Sequence, residues 1–247
     1  MLAEERAIMR YIHEEYIHLQ DLMVHEMRLR LEIAGHASRE LYCSPAELKE
    51  LVLGHLYTQR FIRSMEDVLS LEIDAAKGIA AVQLKTTEAK ADAAEPPMND
   101  LAFDPVILLR NQQQFYDEST LQKATAGTHR SALCSDAGTH MACIDVSRHN
   151  TIDKLVGKAL LEGVSLRDKY IITSGRIPSD MLQKIIAIGI PMIVSRSAPT
   201  TAAMDMAKEA NITLVGFSRE NRFNIYSVPG RLKGCGAVFL KENTASR

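Results

Sequence analysis

The chain has 247 residues, 46% hydrophobic and 24% charged, with a formal net charge of −2. That is the composition of a globular protein of one large or two small domains, and it excludes bulk nucleic-acid binding while leaving room for a local basic pocket. The opening MLAEERAIMRYIHEEY mixes charges throughout, and no later run is long enough to span a bilayer, so a cytoplasmic protein with no membrane attachment is expected.

Apolar residues Ala7, Ile8, Tyr11 and Ile12 recur at helical spacing and predict a helix over 4–17. MRLRLEIAGHASRELYC alternates in the strand period around a Gly35-His36 turn and predicts a hairpin. Ser44-Pro45 then opens a helix whose apolar face is Leu48, Leu51, Val52 and Leu56. Two more strands, DVLSLEI and GIAAVQL, flank Lys77-Gly78, so residues 1–85 read as a helix and a small α+β domain. Residues 86–104, rich in Ala, Lys, Glu, Asp and Pro, read as a linker. A helix over about 105–124 follows, then two strands joined through Asp136-Ala137-Gly138. From residue 141 strands alternate with helices at 151–162, 178–188 and 200–210, and the last strand lies near 222–227. Residues 105–247 thus form an α/β domain on a mixed, mostly parallel sheet.

Ligands of such sheets gather at the carboxyl ends of the strands. Four segments leave those ends here: SRHN (147–150), SGRIP (174–178), SRSAPT (195–200) and FSRENR (217–222). Arg148, Arg176, Arg196, Arg219 and Arg222 are therefore expected along one edge, where helix N-termini add free N–H groups suited to phosphate or another polyanion. Asn150 with Asp153 has the pattern of a helix cap, and Arg148-His149 is read both as part of that cap and as facing the anion site. His129, in TAGTHR, is read either as a turn hydrogen bond or as a ligand contact.

The four cysteines (Cys43, Cys134, Cys143, Cys235) form no C-x-x-C and no zinc spacing. Cys134 and Cys143, on the two strands of the 129–145 hairpin, are read as core side chains, with a position nearly opposite each other as the alternative. Cys43, just before a helix start, is expected to have a lowered pKa if exposed. A nucleoside deaminase on a similar sheet needs Cys and Glu where this chain has SRHNTID and TSGRIPSD, so no zinc is expected. Neither a Walker A stretch nor G-x-G-x-x-G occurs.

In order, TAGTH, DVSRHNTIDKLVG, TSGRIPSDMLQK, GIPMIVSRSAPTTAAMDMA and LVGFSRENRFNIYS resemble the FdhD/NarQ family of formate dehydrogenase accessory sulfurtransferases. The resemblance covers most of residues 20–231. It implies a three-layer, cytidine-deaminase-like α/β/α domain behind the smaller α+β domain. It also implies transfer of sulfur from a cysteine desulfurase to the bis(guanine dinucleotide) molybdenum cofactor destined for formate dehydrogenase. The family's cofactor-binding stretch falls on Phe217, Ser218, Arg219, Glu220, Asn221 and Arg222, with Phe217 placed to stack and Arg219 and Arg222 to hold pyrophosphate. Arg176, Arg196, Arg148, His149 and His129 complete the expected binding set, and a homodimer is one option for its assembly.

The family carries sulfur on cysteine in the linker loop, whereas residues 86–104 hold no Cys. Ser147 replaces the Gly usual before Arg-His-Asn, and Ala126 departs from the Thr-Gly-Gly-x-His turn. Three roles follow: a sulfur-transfer enzyme using another cysteine, a non-catalytic cofactor chaperone, or a nucleotide-binding protein.

Overall fold

The computed structural model describes residues 2–86, 97 and 100–235, so most of the expected linker lies outside the described residues. The first element departs from expectation. Residues 4–17 are not helical: β1 (Ala3–Ile12) and β2 (Glu15–Val24) pair antiparallel from Ala3↔Val24 to Ile12↔Glu15. In a strand Ala7 and Tyr11 fall on one face and Ile8 and Ile12 on the other, so no period of two marks β1, and its pairing with residues 15–24 overrides the helical pattern. The two turn residues, His13 and Glu14, both take positive φ (50° and 65°), as a two-residue hairpin requires, without the Asn or Gly that would have marked it.

β3 (Met27–Ile33), β4 (Arg39–Cys43), β5 (Val68–Asp74) and β6 (Ile79–Leu84) form a sheet in the order β4-β3-β6-β5. Leu29, Leu31 and Ile33 alternate inward on β3 and meet Leu51, Val52 and Leu56 of α1 (Leu48–Thr58). The expected helix over 105–124 is two, α2 (Pro105–Asp117) and α3 (Thr120–Thr125), broken where the Ser119 hydroxyl donates to the Phe115 carbonyl.

The larger sheet runs β12-β11-β10-β9-β7-β8, built from β7 (His129–Ser135), β8 (Gly138–Asp145), β9 (Tyr170–Thr173), β10 (Met192–Ser195), β11 (Thr213–Arg219) and β12 (Arg222–Ser227). Four strands share one direction, but β7 inserts antiparallel between β8 and β9, and β12 closes the other edge antiparallel. Only the β9–β10 and β10–β11 neighbours are parallel, which corrects the mostly parallel reading. One face packs on α4 (Arg148–Glu162), α5 (Ser179–Ile188) and α6 (Thr201–Glu209) through Ile152, Leu155, Met181, Leu182 and Ala203. The other packs Ala132, Tyr170, Ile172 and Val194 on Leu108 and Phe115 of α2. Among the described residues no helix is long and apolar enough to cross a membrane.

α4 begins three residues before its expected start, with Ser147 at the N-cap position, so Asn150 is not the cap. The Asn150 amide instead donates to the Tyr42 carbonyl (2.7 Å) and to Asp145 (2.9 Å). Asp153 is not a capping-box partner either. Fully buried, it accepts from Lys184 (2.5 Å), Thr58 (2.7 Å) and His55 (3.1 Å). Burial opposes its charge, but the Lys184 ammonium and the His55 hydrogen bond outweigh it and hold the carboxyl below the usual range.

α1 and α4 cross almost backbone to backbone. A Cβ on Gly54 would lie 1.7 Å from the Asp153 carbonyl oxygen, and one on Gly157 would lie 1.9 Å from that of Glu50. Gly157→Ala is therefore expected to force the helices apart and cost about 3 kcal/mol in urea-induced unfolding. A loss below about 0.5 kcal/mol would mean that the crossing yields freely.

Candidate functional site

The carboxyl ends of β8, β9, β10 and β11 share one edge with the starts of β7 and β12. At roughly 4.8 Å per strand, that edge spans about 24 Å from Arg148 to Arg222. Arg148, Arg176, Arg196, Arg219 and Arg222 all lie along it, and α4, α5 and α6 start there. Among the described residues none of the five pairs with a carboxylate, in contrast to Arg28 with Glu40, Arg30 with Glu32 and Arg130 with Glu118.

At the β8 end, Asp145 organises the junction. Its carboxylate takes Lys154 (2.7 Å) and the Ser44 and Ser147 N–H groups, all anchoring the start of α4. The Arg148 stem lies against Gly175, where a Cβ would come within 2.9 Å, and its Nε is buried without a partner. His149 lies 3.4 Å from Asp180 of α5. Burial lowers its pKa, with Asp180 acting in the opposite direction.

His129 begins β7. Its Nδ1 lies 3.3 Å from the Ser174 hydroxyl, which accepts from the Arg130 N–H (3.1 Å). The hydroxyl proton is thus free for Nδ1, leaving Nε2–H as an outward donor. Burial, then the Arg148 charge, push the imidazole below its ordinary pKa. Both readings of His129 survive in the geometry, since it bonds in the turn and offers a donor at the edge.

At the far end the chain is contorted. Gly216 leaves no room for a Cβ, which would meet the Ser197 carbonyl at 2.9 Å, and Phe217 adopts φ 49° while donating its N–H to that carbonyl. A register shift between Gly216 and Arg219 turns Phe217 outward, 41% exposed, and Ser218 inward. The Ser218 hydroxyl and carbonyl both bond the Gln112 amide of α2. Exposed Glu220 and Asn221 make the turn, and Arg219 and Arg222 stand directly opposite each other. Like charges in cross-strand register repel unless an anion bridges them.

Arg176 is exposed in the β9–α5 turn, tied to the next turn by the Ile177–Pro199 bridge. Arg196 stacks 4.0 Å from the Tyr116 ring centroid. Sequence reasoning missed this α2 contribution. Its signal was NQQQ (111–114), a polar run in which Asn111 and Gln112 proved buried.

None of the thiols is an exposed member of this edge. Cys43 and Cys143 are buried and pushed up to about 12, and Cys134 to about 11, in each case chiefly by desolvation. This removes the lowered pKa considered for Cys43. Cys134 and Cys143 are not opposite: they pair with Thr139 and Ser131 and serve the cores on different faces of the sheet. Cys235 is partly exposed, but it follows Lys233, which pairs with Asp136 in the β7–β8 turn. That turn is the far end of the sheet, about 20 Å of strand from the Arg edge.

The profile of the FdhD/NarQ family matches residues 24–98 and 85–233. The sulfur carrier protein FdhD of Bacillus subtilis (strain 168) is 32% identical, over 92% of this chain and 97% of its own length. The protein of the same name from Staphylococcus haemolyticus is 34% identical, over 92% and 96%. A crystal structure from Desulfotalea psychrophila, described as a formate dehydrogenase accessory protein, superposes with a TM-score of 0.82 at 24% identity, over 94% of this chain and all of its own. At that identity the likeness speaks for the fold.

Two measurements test this geometry. In native protein a thiol reagent at pH 8 should modify Cys235 first, and Cys235→Ser should leave no fast-reacting thiol; rapid labelling of Cys43 or Cys143 would contradict their burial. Nitrogen NMR should find His129 neutral, protonated on Nε2, at pH 6.5. Because its folded pKa lies below the unfolded one, the unfolded chain takes the proton first and stability falls as pH drops through that range. His129→Gln should flatten that slope, and an unchanged slope would show that the depression is absent.

Proposed function

The chain belongs to the FdhD/NarQ family, and from that premise we propose that it serves a molybdenum-dependent formate dehydrogenase by holding the bis(guanine dinucleotide) molybdenum cofactor along the Arg edge. The observation that carries this reading is the Arg219–Arg222 register, two guanidinium groups without a carboxylate partner among the described residues, facing each other across a strained two-residue turn. A pyrophosphate bridging them would turn that repulsion into charge-assisted hydrogen bonds. Arg196, Arg176 and Arg148 extend the same positive strip, and Phe217 offers a face for a ring. On this reading the sheet is a cytidine-deaminase-like scaffold whose edge holds Arg and Ser where a deaminase holds zinc ligands. The protein works in the cytoplasm, and a cysteine desulfurase and the formate dehydrogenase are its partners through the family.

Relatives bear the name sulfur carrier, and the bound cofactor is the group whose molybdenum would receive sulfur. Persulfide formation needs an accessible thiolate. Three of the four thiols are buried with raised pKa values, and the fourth stands at the opposite end of the sheet. Holding and presenting the cofactor without a covalent step on cysteine is therefore the role favoured here. Sulfur carriage through Cys235 is the second reading, favoured by its partial exposure.

Calorimetric titration should find saturable, GDP-selective binding against ADP, weakened at least tenfold by Arg222→Ala, about 1.4 kcal/mol or more. Equal binding of the two nucleotides, or no effect of Arg222→Ala, would overturn cofactor holding. A mass shift of one sulfur on Cys235, after incubation with a desulfurase and cysteine, would replace the non-covalent role by the second reading.

A further inference from the structure

Among the described residues β1 and β2 form a sheet of their own, held at its root where β2 meets α3 and Val24 packs on Gly127. Strands of this length make a ribbon roughly 34 Å long, and residues 9–18 at its outer end are exposed without a break. An isolated two-stranded hairpin is marginal in water. This one also turns on His13 and Glu14 at positive φ, with no glycine to relieve the strain. Something must cover it.

The register sorts the ribbon's side chains onto two unlike faces. On one face Tyr11 stands opposite Tyr16 and Met9 opposite His18, with Ala7 beside them and Glu5 as the only carboxylate. On the other, Glu4, Arg6, Arg10, Glu15 and Asp21 interrupt the apolar positions. Those charges pair among themselves, Arg6 with Glu4 and Arg10 with Asp21, and suit water. The neutral face is the open one: Tyr16 is 72% exposed, Tyr11 61% and Met9 58%. The two tyrosine rings lie 5.0 Å apart, a platform of the aromatic and Met composition found at interface centres.

Charge and shape select the occupant. Residues 3–24 carry five carboxylates against two arginines, which disfavours an anionic lipid surface or a nucleic acid. A second ribbon fits the neutral face. Laid antiparallel across a two-fold axis through Met9 and His18, each copy sets Tyr11 over the small Ala7 of the other and Tyr16 over its Gln20, with no carboxylates opposed. The same operation on the charged face would set Glu15 against Asp21, a like-charge pair.

We propose that the face bearing Met9, Tyr11, Tyr16 and His18 is a dimer contact, occupied by the same face of a second copy of this chain. A buried aromatic ring withdraws about 150–250 Å² from water, so four tyrosines and two Met9 side chains make a contact of about 800 Å². That is the size of a reversible association, and monomer and dimer exchange in the micromolar range. Each ribbon receives from the other the packing that a lone hairpin lacks. The contact is independent of the nucleotide reading of the Arg edge.

Sedimentation velocity of the full-length protein across the micromolar range tests it. Wild type should pass from one chain to two as concentration rises. Tyr11→Ser and Tyr16→Ser should each weaken association at least about tenfold, while Ile12→Ser and Ile17→Ser on the charged face leave it unchanged. Because a substitution can also loosen the hairpin, cross-linking supplies a second readout. In a Cys235→Ser background a short bis-maleimide should join two chains through Met9→Cys and not through Arg10→Cys. Wild type that stays a single chain throughout would overturn the contact, and its co-sedimentation with phosphatidylglycerol vesicles would give the ribbon to a membrane instead. Dimers that survive both tyrosine variants, or that cross-link through Arg10→Cys and not Met9→Cys, would overturn the assignment of this face.

Discussion

The contact on which the rest of the molecule depends is the crossing of α1 and α4 at Gly54 and Gly157. Neither position tolerates a Cβ, so the two backbones meet as closely as helices can. Buried charge flanks that seam. Asp153 gathers Lys184, His55 and Thr58 from α5 and α1, and Asp145 gathers Lys154, Asn150, Ser44 and Ser147. Such networks seldom add much net stability over an apolar core, because desolvation offsets the attraction, but removing one member leaves a charge stranded. Their consequence here is geometric: the small sheet, α4 and the β8 terminus have one relative placement. Arg148 stands at the edge because Asp145 fixes the residue where α4 begins.

Set against that rigid seam, the opposite end of the edge is under strain. Phe217 and Glu220 both hold positive φ without being glycine, a conformation that costs free energy and persists where the surroundings impose it. The surroundings are identifiable. Gln112 grips Ser218 from both sides, and the Ser197 carbonyl takes the Phe217 N–H. The result is a short ribbon that presents Phe217, Arg219 and Arg222 to solvent, and among the described residues no carboxylate pairs with the two guanidinium groups. Strain and unpaired charge at the same place argue for a ligand more strongly than either does alone.

The cysteines make the complementary point. A thiol is a carrier only where its thiolate is accessible, and burial in an apolar core removes both the charge and the access. Three thiols here are core side chains that fill space between sheet and helices, as scattered cysteines without a metal or redox spacing are expected to be. The four sulfurs therefore differ in access: Cys43, Cys134 and Cys143 are held in the cores, and Cys235 is partly exposed.

The alternation of strands and helices after residue 141 was legible because each apolar strand there is buried on both faces and each helix is amphipathic, so local pattern and tertiary role agree. The gathering of five arginines on one edge followed from that alternation together with the rule that ligands sit at strand ends. The N-terminal ribbon was not legible, because Ala7, Ile8, Tyr11 and Ile12 fit the helical period and not that of a strand, and only pairing with residues 15–24 overrides it. Nor was the insertion of β7 between β8 and β9, since strand order is set by which cores must be covered and not by sequence adjacency. The chain by itself determined the elements of the second half and the positive edge they share. Tertiary structure alone decided the partners: Asn150 and Asp153 left their expected cap for buried bonds, His149 met Asp180, and Tyr116 of α2 came to stack on Arg196. Those outcomes depend on through-space distances between segments far apart in the chain, which no local pattern encodes.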